Sequence, residues 1–150
     1  MRRLVWAIVC VCCLTACLPD RADHAVFTAI DPEGWAYGDT LALTPEIDDS
    51  VAEGRIVVAV RHTDGYIYRN LWLEMSVPQG DTVIADTLNI SLADIYGKWY
   101  GTGMGVSYMA SDTLPGRYRL MRGQPVALRH IMRSDTLHDI EQIGLVFIPD

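Results

Sequence analysis

Cysteine, positive charge and long apolar runs are all scarce in this chain of 150 residues, and each shortage excludes something. The four cysteines are Cys10, Cys12, Cys13 and Cys17, so nothing beyond position 17 can close an internal disulfide. A domain downstream of that point must be held by packing alone. Lys and Arg number 12 against 19 Asp and Glu, a net charge of −7. Two of the basic residues, Arg2 and Arg3, and none of the acidic ones lie before Cys17, so the remainder carries 10 against 19, a net −9. That sign repels nucleic acid and anionic lipid surfaces alike. The apolar run Leu4 to Cys13 falls well short of the roughly 20 residues needed to span a bilayer as a helix. A helical period is also nearly missing, with Ser91 to Tyr96 and Thr136 to Gln142 the only short candidates.

What is present begins with Leu14-Thr15-Ala16-Cys17. Arg2 and Arg3 form a positive n-region and Leu4 to Cys13 an apolar h-region, the pattern of a secretory leader. The tetrapeptide resembles the bacterial lipobox, whose cysteine is thioether-linked to diacylglycerol and becomes the acylated first residue after cleavage. The expected organisation is a lipoprotein signal peptide at 1–16, a lipidated tether at 17–25 and one domain at 26–150. The alternative is a plain secretory leader with an incidental cysteine. Because the charge disfavours lipid, membrane attachment would come from the acyl chains on Cys17, of which two or more hold stably. The residues after Cys17 poorly resemble the dense acidic run that sends some Bacteroidota lipoproteins to the cell surface. The expected location is the outer membrane, facing the periplasm.

From Ala25 onward the apolar period is two, the strand signature. Expected strands are Val26 to Ile30, Thr40 to Leu43, Arg55 to Arg61, Asn70 to Val77, Thr82 to Leu92, Tyr100 to Ala110, Arg117 to Arg122, Val126 to Arg133 and Gly144 to Ile148. Ile56, Val58 and Val60 share one face, as do Leu71, Leu73, Met75 and Val77. Thr63-Asp64-Gly65 suggests a turn joining these two strands as an antiparallel pair. The acidic tract Ile47 to Gly54 reads as a loop. Short strands with regular turn residues predict an all-β antiparallel sandwich of jelly-roll type.

No enzymatic constellation rises above chance spacing, and the chain reads as a non-enzyme that needs no cofactor or metal. Gly101, Gly103 and Gly105 imitate a phosphate loop, but that use requires a following helix, and Val106 to Tyr108 reads as continued strand. Ser107 lacks the second glycine of a nucleophile elbow. His24, His62, His130 and His138 show no paired-ligand spacing.

The aromatics and one repeated triplet are more informative. Tyr66, Tyr68 and Trp72 flank one turn, while Trp99, Tyr100 and Tyr108 surround the glycine-rich strand. On a sandwich such residues form either core or a platform for a sugar ring, and core is favoured where they share a face with aliphatic neighbours. A site built on Tyr66, Tyr68 and Trp72, with Arg61, Asp64, Arg69 and Asn70, would take a protein partner or a glycan. The triplet Asp-Thr-apolar recurs at Asp39, Asp81, Asp86, Asp112 and Asp135, with Asp49-Ser50-Val51 a close relative. It suits the start of a strand: Asp closes a turn, Thr favours extended backbone, and the apolar residue enters the core. It also resembles the acceptor of the general O-glycosylation system of Bacteroidota, which makes Ser50, Thr82 and Thr136 candidate glycosylation sites.

Tyr66-Ile67-Tyr68-Arg69-Asn70-Leu71, Asp86-Thr87-Leu88, Gly101-Thr102-Gly103 and the closing Ile140 to Leu145, in this order after Gly34-Trp35, resemble the gliding motility-associated lipoprotein GldH family. The resemblance runs from about Gly34 to Ile148. It implies an outer-membrane lipoprotein serving the gliding and linked secretion machinery, with envelope or motility proteins as partners and no catalytic residues to carry over. A glycan-binding envelope lipoprotein is the alternative from a different class.

Overall fold

The computed structural model describes residues 24–150. The signal peptide, Cys17 and the tether up to position 23 lie outside the described residues, while His24 and Ala25, expected as tether, already belong to a strand. The strands are β1 His24–Ala29, β2 Trp35–Ala36, β3 Leu41–Leu43, β4 Val51–Thr63, β5 Asn70–Gln79 and β6 Thr82–Ser91. They continue as β7 Thr102–Met104, β8 Ser107–Thr113, β9 Tyr118–Met121, β10 Val126–His130, β11 Thr136–Leu137 and β12 Ile140–Pro149. No helix occurs among the described residues.

All pairings are antiparallel. One sheet runs β1-β12-β4-β8-β7, with β9 paired to the start of β4, and the second runs β3-β10-β5-β6. β11 and β2 form a two-residue ribbon at one end. The chain passes repeatedly from one sheet to the other, the double-sheet arrangement of a jelly roll. The two inner faces are those that the period of two marked. Ile56, Val58 and Val60 of β4 meet Leu71, Leu73, Met75 and Val77 of β5, all buried, with Ile143, Leu145 and Phe147 of β12. A core of this kind stabilises by roughly 25 cal/mol for each Å² of apolar surface withdrawn from water.

Four expectations need correction. β4 and β5 do not pair. β4 lies between β12 and β8, and β5 between β10 and β6. The link Asp64 to Arg69 is long enough to cross the roughly 10 Å between packed sheets, and Tyr66 within it fills the crossing as a core residue. Val51 to Gly54 is strand rather than loop, because β9 and the end of β12 supply partners far away in sequence. Gly54 permits that approach, since a Cβ there would lie 2.2 Å from the Ile148 carbonyl oxygen.

Tyr100 to Ala110 is not one strand. Gly105 takes φ +66°, which favours glycine, and reverses the chain between β7 and β8, so Val106 belongs to a hairpin turn. Neither helical candidate is a helix. Thr136 and Leu137 pair with β2, and Asp139 at φ 65° breaks any helical continuation. Leu92 and Ala93 both donate backbone N–H groups to the Arg69 carbonyl, and the Asp94 carboxylate accepts from the Tyr96 and Lys98 amides, closing a turn.

Val58 is fully buried between the sheets. Val58→Asp is expected to cost on the order of 3 kcal/mol or more, through an unpaired buried charge. Denaturant unfolding of the domain measures this, and an unchanged midpoint would contradict the packing described.

Candidate functional site

The register fixes two ends. His24 pairs with Phe147, whereas Thr63 pairs with Ser107 and Ile140 with His62. The described chain therefore starts at one end, shared with the β5–β6 turn and the C-terminus. The loops 30–40, 64–69, 92–101, 105–106 and 131–139 gather at the other. Most of the aromatic residues sit at this loop end.

Each of its two buried histidines is set among aromatic rings. His62, at the end of β4, has its ring 4.6 Å from Trp99 and 5.9 Å from both Tyr66 and Tyr108. Its Nδ1 lies 2.9 Å from the Thr63 carbonyl oxygen, which it meets as a donor, leaving Nε2 without a partner. His130, at the end of β10, has its ring 5.2 Å from Trp35 and 5.6 Å from Tyr37. Its Nε2 is 3.1 Å from the Trp35 carbonyl oxygen, and its Nδ1 is unpartnered. Burial lowers the pKa of both rings, outweighing the backbone hydrogen bonds that favour the charged form. Burial also pushes the Tyr66 phenol upward, and its hydroxyl donates to the Asn70 carbonyl oxygen at 3.2 Å. Both histidines are thus neutral at pH 7, and each cluster packs loops against the end of a strand.

The loops are tied to one another. Asp139 Oδ1 accepts from Thr63 Oγ1 at 2.7 Å and its carbonyl accepts from the Thr63 amide at 2.9 Å. A Cβ at Gly65 would lie 2.7 Å from that carboxylate, so glycine allows the close approach. Asp64 donates its amide to the Val106 carbonyl, and Tyr37 donates its amide to Asp135. Above this framework the loop tips expose apolar side chains: Ile67 at 82%, Ile95 at 76%, Tyr96 at 89% and Met104 at 89%. Val106 is also exposed.

The residues expected from sequence to share a site are dispersed. Tyr66 is buried, so it offers no surface, and Tyr68 is half-buried against it at 5.7 Å between ring centroids. Trp72 is exposed on the outer face of the second sheet, beside Asn70, whose Nδ2 donates to Asn89 Oδ1 at 2.7 Å. Arg61 is exposed on the outer face of the first sheet, on the opposite side of the sandwich. Arg61 and Trp72 therefore cannot contact one ligand. Asp64 and Arg69 occupy the crossing loop and are exposed.

Ser50 and Thr82 are exposed at the end where the described chain starts. Thr136 is half-buried, bridged to Ala36, with its methyl close to Gly34. Among the described residues no group of three His, Cys, Asp or Glu is placed to hold a metal ion. Sequence spacing did not reveal that Trp99 and Tyr108 enclose His62, because strand pairing brings them there. The exposed Ile95-Tyr96 pair carried a usable signal, two large apolar residues in a turn closed by Asp94 and Gly97.

Stability should report the two histidines. Their folded pKa values lie below the unfolded value, so the unfolded chain binds more protons as pH falls through about 6.5. The unfolding free energy is expected to decline between pH 7 and 5.5, by up to about 1.4 kcal/mol per pH unit for each ring. His62→Gln with His130→Gln should flatten that slope in pH-dependent denaturation, and an unaltered slope would refute the assignment.

Comparison with known proteins bears on the family and adds little beyond it. Among solved structures, the chain is similar to CBM35 from Cellvibrio japonicus Abf62 at 15% identity and TM-score 0.41, covering 81% of this chain and 92% of that one. It is similar to Eiger TNF from S. frugiperda at 13% identity and TM-score 0.36, covering 87% and 88%. Likenesses at this level carry no argument about function. A search of curated proteins finds no match. A family model described as GldH lipoprotein matches residues 24–147, nearly the whole of the described sandwich, and the chain belongs to that family.

Proposed function

We propose that this chain is a non-enzymatic component of the gliding-motility or associated envelope machinery. It is held on the outer membrane by acyl chains on Cys17, with its domain facing the periplasm and its loop end docking another envelope protein. The family match over residues 24–147 supports a gliding-motility-associated lipoprotein. The observation that carries the docking surface is the exposure of Ile67, Ile95, Tyr96, Met104 and Val106 at one end of the sandwich. The stretch from Cys17 to His24 spans at most about 25 Å, whereas β4 alone is roughly 40 Å long. An anchor at Cys17 therefore keeps the His24 end near the bilayer and leaves the loop end for a partner.

Gentle cross-linking in cells, then affinity purification from solubilised outer membrane, tests this. Envelope proteins should travel with the chain, and their recovery should fall at least tenfold when Tyr96→Asp and Met104→Asp are combined without loss of Tm. Equal recovery by that variant would remove the loop end as the docking surface.

One observation favours a second reading, that of a glycan-binding lipoprotein. Trp72 is an exposed ring flanked by the Asn70–Asn89 amide pair and by the Arg129–Glu74 ion pair at 2.8 Å, a combination able to stack on a sugar and bond its hydroxyls. Saccharides should then quench tryptophan fluorescence in the native domain and leave Trp72→Phe unaffected. Insensitivity across a glycan panel would eliminate the reading.

A further inference from the structure

A sheet edge presents unpaired backbone N–H and C=O groups, and proteins usually protect such edges with short strands, bulges, proline or lysine. At the other edges the strands are short: β3 and β7 have three residues each, β9 four and β1 six. β6 differs. It has ten residues and pairs with β5 in unbroken register from Asn70↔Ser91 to Gln79↔Thr82, without a bulge. No strand among the described residues pairs with its other side. Its sequence, Thr82 to Ser91, contains neither proline nor lysine and is rich in residues that favour extended backbone. Val83, at 62% exposure, and Ile84 are open to solvent.

The Ser91 end of this edge borders open space. β7 covers β8 only from Ser107 to Met109, so Ser111 to Thr113 also lack a neighbour on that side. Between them and the end of β6 lies an open cleft of about 600 Å³, lined by Ser91, Gly101, Ala110, Ser111 and Asp112 among others.

The charges along this opening are acidic. Asp86 is the one charged residue of β6, and its Oδ2 accepts from the Tyr118 hydroxyl at 2.6 Å; Asp112 stands on β8. A strand laid against β6 would take water away from Asp86. That is costly unless the incoming chain supplies a cation. Two β6 strands paired antiparallel would instead bring two Asp86 carboxylates to one seam with no Lys or Arg between Thr82 and Ser91.

We propose that the free edge of β6 receives an extended segment of a partner protein, which joins the second sheet as a fifth strand and carries Lys or Arg opposite Asp86. Main-chain hydrogen bonds supply affinity in this mode, and the requirement at Asp86 supplies specificity. The edge adjoins the loop end at Ser91 and Gly101 but does not use its exposed apolar tips.

A photo-cross-linking residue placed at Thr87, exposed on β6, tests this in cells making the full chain, with the same residue at Arg55 on the other sheet as control. The expected adduct is with a different envelope protein, maps by peptide mass to a segment containing Lys or Arg, and is absent from the Arg55 control. Its yield should fall about threefold or more in Asp86→Asn and tenfold or more in Asp86→Lys. Asp86→Asn keeps an acceptor for Tyr118 and carries the test if the lysine variant does not fold. Adducts solely with a second copy, adducts unchanged by Asp86→Asn, or none above the control would each overturn the proposal.

Discussion

Strand β4 organises the sandwich because it alone joins both parts of the first sheet. From Gly54 to His62 it pairs with β12, and its other side is shared between β9 at the start and β8 at the end. Glycine admits close neighbours at two points along this ladder. Gly54 lets the Ile148 carbonyl in, and Gly144 of β12 lies under the Phe27 ring of β1, where a Cβ would be 2.1 Å from Cε1. One irregularity interrupts the β4–β12 ladder, a register shift between Ile140 and Gln142 that leaves Glu141 as the extra residue. It falls beside His62, where the regular sheet gives way to the aromatic end.

Burying two histidines is costly unless their polar atoms find partners, and here each ring satisfies only one nitrogen. The aromatic neighbours compensate in another way. Edge-to-face contacts with Trp99 on one side and Trp35 on the other place each imidazole at the junction of several loops. His62 thereby joins β4 to the loop before β7, and His130 joins β10 to the first loop of the chain. A leucine in either place would fill space without fixing the angle at which the loops leave the sheets.

The period of two in β4 and β5 made their inner faces legible, since each strand has one face toward the core and the alternation survives in the residues themselves. Pairing was not legible, because the partners of Val51 to Gly54 lie in β9 and β12, far along the chain. A glycine at every second position from 101 to 105 fits a continuous strand as well as a hairpin. Only the φ +66° at Gly105 decides, and sequence does not carry it. The candidate site was legible as composition, with aromatics dense around residues 66–72 and 99–108, and not as geometry. Tyr66 and Trp72 are six positions apart, yet one is core and the other lies outside the second sheet, because the chain changes sheets between them.

Exposed apolar side chains on floppy loops would bind weakly, since a partner would have to order them first. The loop end avoids much of that cost. The first loop is joined to the 131–139 loop through β2 and β11 and through Tyr37 to Asp135. That loop is joined to Thr63 through Asp139, held at φ 65°, and the 64–69 loop is joined in turn to Val106 and to Leu92 and Ala93. A left-handed aspartate is sparsely populated and persists only where its surroundings over-determine it, as both Thr63 contacts do here. The chain of ties leaves Ile67, Tyr96 and Met104 standing on a framework already ordered, so apolar surface buried there by a partner converts more fully into binding free energy.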